Sequence, residues 1–200
     1  MSWKDGSQYK GQFRNGEIDG FGEKIFSEES PLLNYSGGWQ QGKSWGKGIL
    51  FWKNGAKYVG ELFQGLLHGT GFYTYEKSSP GDYYNGSFYY GMISGSGTYV
   101  WKNRNKHTGG FGNDSFWGLG VATIDGSIQK GYWKGSFRWG NGSTIYRRGG
   151  KNFGFYANGA LNGYGVAFYN DSSDVRKYDG IFKDGLQWGN GTTWLKNGSR

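Results

Sequence analysis

The chain has 200 residues and no cysteine, which excludes disulfides, thiolate nucleophiles and cysteine-held metals. Forty-one residues are glycine and one in five is aromatic; no Gly-X-Y period runs through the chain, so it is not collagen, and so many aromatics exclude simple disorder. The net charge of +8 is uneven: residues 1–100 carry nine basic and nine acidic side chains, residues 101–200 fourteen basic and six acidic.

The first segment, MSWKDGSQYK, has no apolar core, so no secretory signal is expected there, and no apolar run is long enough to span a membrane. From Tyr9 onward the chain is periodic. Tyr9, Gly11 and Phe13 alternate at period two, the spacing of a strand with all three on one face. RNGE follows as a tight turn, and a second strand returns through Gly20 and Gly22 to Phe26. The same unit starts again at Tyr35, Tyr58, Tyr84, His107, Gln129, Asn152 and Tyr178, at intervals of 22 to 26 residues. Glycine recurs two, eleven and thirteen residues after every start, and seven after six of the eight. Three units are lengthened, by SEESPLLN, EKSSPGDY and DSSDVRK, and both prolines fall in the first two of these loops.

The predicted fold is therefore all-β: eight β-hairpins stacked into a single elongated, twisted antiparallel sheet, with no helices of note and residues 1–200 forming one array. Sixteen strands at about 4.8 Å predict a rod of roughly 75 Å. The expected register sets Phe13 opposite Ile18, Gly11 opposite Gly20 and Tyr9 opposite Gly22, so that rings lie over glycine backbone.

The unit Y-x-G-x-[FWY]-x-x-G-x-x-x-G-x-G, seen in YKGQFRNGEIDGFG and YVGELFQGLLHGTG, resembles the MORN repeat, the membrane occupation and recognition nexus motif. Eight copies in phase cover nearly the whole chain. The resemblance implies a non-enzymatic scaffold or targeting module, cytoplasmic and associated with cytoskeleton or membrane, with homodimers known in the family. It also implies a peptide or protein partner held along an aromatic groove. That groove would be lined by Tyr9, Phe13, Tyr35, Trp39, Tyr58, Tyr84, Phe88, Phe111, Trp133, Tyr156, Tyr178 and Phe182. His107, Gln129 and Asn152 depart from the starting tyrosine, and Asp114 and Ser136 from the turn glycine; a kink, a binding surface and drift are all consistent with these changes.

An alternative rests on charge. Lys102, Arg104, Lys106, Lys130, Lys134, Arg138, Arg147, Arg148 and Lys151 crowd residues 101–151 against only Asp114 and Asp125. Such a segment suits an anionic phospholipid surface rather than nucleic acid, for which no fold signature appears; charged turn tips also keep an aromatic-rich chain in solution. Catalysis finds little support, since His68 and His107 sit at repeat positions and no carboxylate pair recurs. No cofactor or metal is expected. The stretch GGWQQGKS, Gly37–Ser44, matches the phosphate-loop pattern G-x-x-x-x-G-K-[ST]. Its two glycines are repeat positions, however, and a further strand follows where a phosphate loop needs a helix.

Overall fold

The computed structural model describes residues 1–200 and contains sixteen antiparallel strands and no helix. Two compact units divide the chain, Met1–Arg104 and Asn105–Arg200. The first holds β1 (Gln8–Arg14), β2 (Glu17–Ile25), β3 (Leu32–Gln40), β4 (Lys43–Trp52), β5 (Lys57–Phe63), β6 (Leu66–Thr74), β7 (Gly81–Tyr89) and β8 (Met92–Trp101). The second holds β9 (Lys106–Gly112), β10 (Ser115–Ile124), β11 (Ser127–Lys134), β12 (Phe137–Ile145), β13 (Lys151–Ala157), β14 (Ala160–Phe168), β15 (Val175–Lys183) and β16 (Leu186–Leu195). Within each unit every strand pairs with its neighbours in chain order.

Each repeat is one hairpin closed by two residues of positive φ, for example Asn15 at 50° and Gly16 at 82°. Two such residues make the turn whose twist matches the strands. Asp114 and Ser136, which replace the turn glycine, adopt the same conformation at 61° and 67°. The turn amide also ties successive hairpins together: Gly42 N donates to Ile18 O at 2.9 Å, and Gly65 N to Ser44 O at 3.0 Å.

The register differs from the expected one in a single respect. Phe13 does face Ile18, but Gly11 faces Gly22, and Tyr9 faces Lys24. A bulge around Gly20 adds two residues to the returning strand. Gly20 has φ 104°, a conformation most side chains avoid. The Gly-x-Gly of the repeat thus has two separate causes. The first glycine makes the bulge and the second makes room for a ring, since a Cβ at Gly22 would overlap the Tyr9 phenol.

The paired glycines align across each unit as one row: Gly11, Gly22, Gly37, Gly48, Gly60, Gly71, Gly86 and Gly97 in the first. Over this row lie buried tyrosines. The Tyr35 hydroxyl donates to Gly38 O at 3.0 Å and that of Tyr58 to Glu61 O at 2.8 Å, always the carbonyl three residues on. Burial pushes the Tyr35 and Tyr84 hydroxyls up to about 12. The aromatic four residues on then packs edge-on against its own tyrosine and that of the repeat before: Trp39 lies 5.1 Å from Tyr35 and 5.5 Å from Tyr9, ring centre to ring centre.

Where the tyrosine is missing, other groups fill the space. Behind Gln129 and Asn152 the next repeat's ring moves in, Tyr156 to 3.4 Å from the Cβ position of Gly142 and Phe182 to 3.3 Å from that of Gly165. His107 is fully buried, stacked on Phe116 at 3.9 Å and edge-on to Trp133 at 5.0 Å. An imidazole is shorter than a phenol, and neither of its nitrogens completes a hydrogen bond. Burial pushes its pKa down to about 4, with the Gly110 carbonyl pulling the other way.

The three long loops share a lysine clamp. Lys102 Nζ donates to the carbonyls of Glu76, Lys77 and Ser79 at 2.9, 2.6 and 2.6 Å. Lys53 does the same for Ser27 and Glu28, and Lys196 for Asp171.

Gly48→Ala places a methyl inside the Tyr35 ring and should cost about 3 kcal/mol or more. Gly46→Ala meets nothing within 4 Å at φ 68° and should cost only about 1–2 kcal/mol of backbone strain; urea unfolding of both variants checks the difference. For His107, nothing is lost above about pH 6.5, where both folded and unfolded forms are neutral. As pH falls from there to about 4, the unfolded chain takes up a proton that the folded one refuses. Stability should fall by roughly 3 kcal/mol and then level off. Unfolding of His107→Tyr, measured over the same window, should lack this step.

Candidate functional site

The alternation of the strands separates two faces. One carries the rings. Of the twelve aromatics expected to line a groove, eleven are buried against one another, and only Phe13, which has no preceding tyrosine to pack on, is open at 47% exposure. The ring face is therefore a core layer.

The other face carries the residues one, three, twelve and fourteen after each start. In the first unit they border a groove of about 760 Å³. Its floor is the bare backbone of Gly11, Gly22, Gly37, Gly48 and Gly60, and its apolar walls are Phe21, Ile49 and Val59. Phe21 stands 71% exposed. Lys10, Lys47, Glu23 and Glu61 supply both signs of charge. The walls are braced locally. Gln12 Oε1 accepts from the amide of Phe21 at 2.7 Å, and Glu61 Oε1 accepts from Thr70 Oγ1 at 2.9 Å. In both repeats the side chain three on meets a group of the residue just past the bulge glycine.

In the second unit the same face is more apolar. Leu119 is 76% and Tyr164 62% exposed, with Val121, Tyr132, Phe153, Phe155 and Ile181 also open. Asp179 accepts from the Tyr164 hydroxyl and pairs with Lys177 at 2.8 Å. Sequence reasoning passed over this face because its residues are the variable positions of the repeat. The period-two alternation that placed the tyrosines was the signal that could have found it.

Within the second unit the basic residues of the segment 101–151 do not share one surface, and in the first unit one of them is engaged by a loop. Lys102 is occupied by the Glu76–Ser79 carbonyls. Arg138 is buried, its guanidinium 3.6 Å over the Tyr156 ring. Lys134 lies over Trp139 at 5.3 Å near one hairpin turn, whereas Arg147 and Arg148 stand in the loop at the opposite strand ends, next to Lys151, which lies over Phe168 at 5.2 Å. Lys130 and Lys106 are exposed within strands, and Arg104 takes φ 67° in a turn. In the phosphate-loop look-alike, Gly42 is the second residue of a hairpin turn and Ser44 pairs with Trp39. The lysine and serine are strand residues.

The sequence profile of the MORN repeat matches residues 9–28, 35–57, 58–79, 84–106, 153–173 and 178–200. These segments leave out the repeats that start at His107 and Gln129, although both fold as hairpins. Among curated proteins, Alsin of Mus musculus, Pan troglodytes and Homo sapiens is 41% identical over 54 residues, 24% of this chain. The match spans 3% of the length of those relatives. With the profile matched over more than half of its length, the chain belongs to the MORN repeat family.

Proposed function

We propose that this chain is a non-enzymatic interaction module that holds an extended segment of a partner protein along the glycine-floored groove of residues 1–104. MORN repeats mediate protein or membrane interactions, and the finer reading rests on the groove. A floor without side chains lets a partner's backbone or a flat ring approach the sheet closely. Phe21, Ile49 and Val59 offer apolar contact, and the flanking lysines and glutamates can fix direction and register. The buried rings hold this floor in place from behind. A cluster of exposed apolar side chains on a regular scaffold is the usual mark of a partner site.

A photo-crosslinking residue at position 59, in the groove, should capture a partner segment from source cells, whereas one at position 33, outside it, should not. Ile49→Asp would leave a carboxylate in the apolar wall and should reduce capture about tenfold or more, with the β-sheet circular dichroism unchanged. Equal capture from both positions, or capture indifferent to Ile49→Asp, would overturn the reading.

A further inference from the structure

The ring layer of residues 105–200 is interrupted, and the interruption is polar. Asn152 stands where most repeats have tyrosine, and Ala167 is its partner on β14. The two small side chains border a cavity of about 250 Å³, enclosed also by Tyr146, Tyr169, Phe182 and the backbone of Gly149–Lys151.

One wall of this cavity ends a hydrogen-bonded chain whose direction is set from inside the protein. Arg138 is 8% exposed and takes part in no ion pair. A guanidinium can only donate, and this one donates to Thr144 Oγ1 at 2.7 Å and to the Gly159 carbonyl at 3.2 Å. Thr144 Oγ1 lies 3.0 Å from the Tyr156 hydroxyl, which donates to Asn152 Oδ1 at 2.6 Å. With that proton committed, Tyr156 accepts from Thr144. Asn152 Nδ2 then donates to the Tyr146 hydroxyl at 2.8 Å. The donor direction runs unbroken from Arg138 to Tyr146, and Tyr146, having accepted, is left to donate. Tyr169 is in the same state, because its hydroxyl accepts from Gln187 Nε2 at 2.7 Å.

Two phenol donors thus line one cavity, and one of them, Tyr146, is polarised through the network by a buried cation that has no counter-ion. Such a cavity calls for an acceptor that is also an anion. At about 250 Å³ it is smaller than pockets for drug-sized molecules, which begin near 300 Å³, and it suits a group of side-chain size. We propose that the cavity between Tyr146 and Tyr169 binds a carboxylate, brought either by a small free acid or by an acidic side chain of a docked segment. The site is separate from the groove of residues 1–104, and Ile49→Asp should leave it intact.

The test is a titration of the full chain, labelled with ¹³C in its tyrosine rings, with glutarate, with the capped peptide acetyl-Gly-Glu-Gly-amide and with the neutral glutaramide. Saturable shifts of the Tyr146 and Tyr169 resonances are expected with one or both acids. Glutaramide should bind at least about tenfold more weakly. Tyr146→Phe and Tyr169→Phe remove only a hydroxyl, and each should weaken binding about tenfold with circular dichroism unchanged. Tighter binding of glutarate would identify a free acid as the source, and tighter binding of the peptide a partner side chain. No saturable shift with either acid, an equal response to glutaramide, or full affinity in both phenylalanine variants would overturn the proposal.

Discussion

A tyrosine at the start of a repeat can lie flat on its own sheet only because two glycines of the same hairpin stand opposite each other beneath it. Any side chain at Gly11 or Gly22 would occupy the volume of the Tyr9 phenol. The rest of the fold depends on this exclusion. The ring is buried without a second layer of structure, its hydroxyl reaches the carbonyl three residues on, and its edge becomes the surface on which the next repeat's aromatic packs. A single-layered sheet would otherwise have no core. Here each hairpin lends half a core to its neighbour, which is why one hairpin alone would not persist in water.

This arrangement divides the labour between the faces. Residues of the ring face are fixed by packing and cannot vary freely, so they make the repeat visible. Residues of the opposite face touch solvent and are free to vary, so they are where one such chain can differ from another. The groove over Gly37 and Gly48 and the apolar stretch around Leu119 and Tyr164 lie on that second face. The exceptions are the repeats with His107, Gln129 and Asn152, where the ring layer itself has changed. Its place is taken by a buried imidazole in one and by the network from Arg138 to Tyr146 in the others.

Much of the fold was legible in the sequence. The spacing of Tyr9, Gly11 and Phe13 indicated the strand and its face, and the Asn15–Gly16 pair indicated the turn. The pairing of Phe13 with Ile18 also followed from that spacing. What could not be read was the bulge. Gly20 and Gly22 look alike as letters, yet one is there for its φ of 104° and the other for the space above it. That difference moved the register by two residues. The candidate sites were less legible for a related reason. An aromatic that repeats in every copy reads equally well as a binding stripe or as a core, and only burial separates the two. Likewise Arg138 and Lys102 count as surface charge in a sequence, whereas one lies over a buried ring and the other inside a loop.

The exclusion of side chains beneath the tyrosine is open to a direct measurement. Tyr58 covers Gly71, and a Cβ at Gly71 would overlap its ring. A double-mutant cycle of Tyr58→Ala and Gly71→Ala, read by urea unfolding, gives their coupling. If the ring and the bare backbone require each other, Gly71→Ala should be strongly destabilising beside Tyr58 and nearly neutral beside Ala, a coupling of about 2 kcal/mol or more. Additive effects, within about 0.5 kcal/mol, would contradict the account.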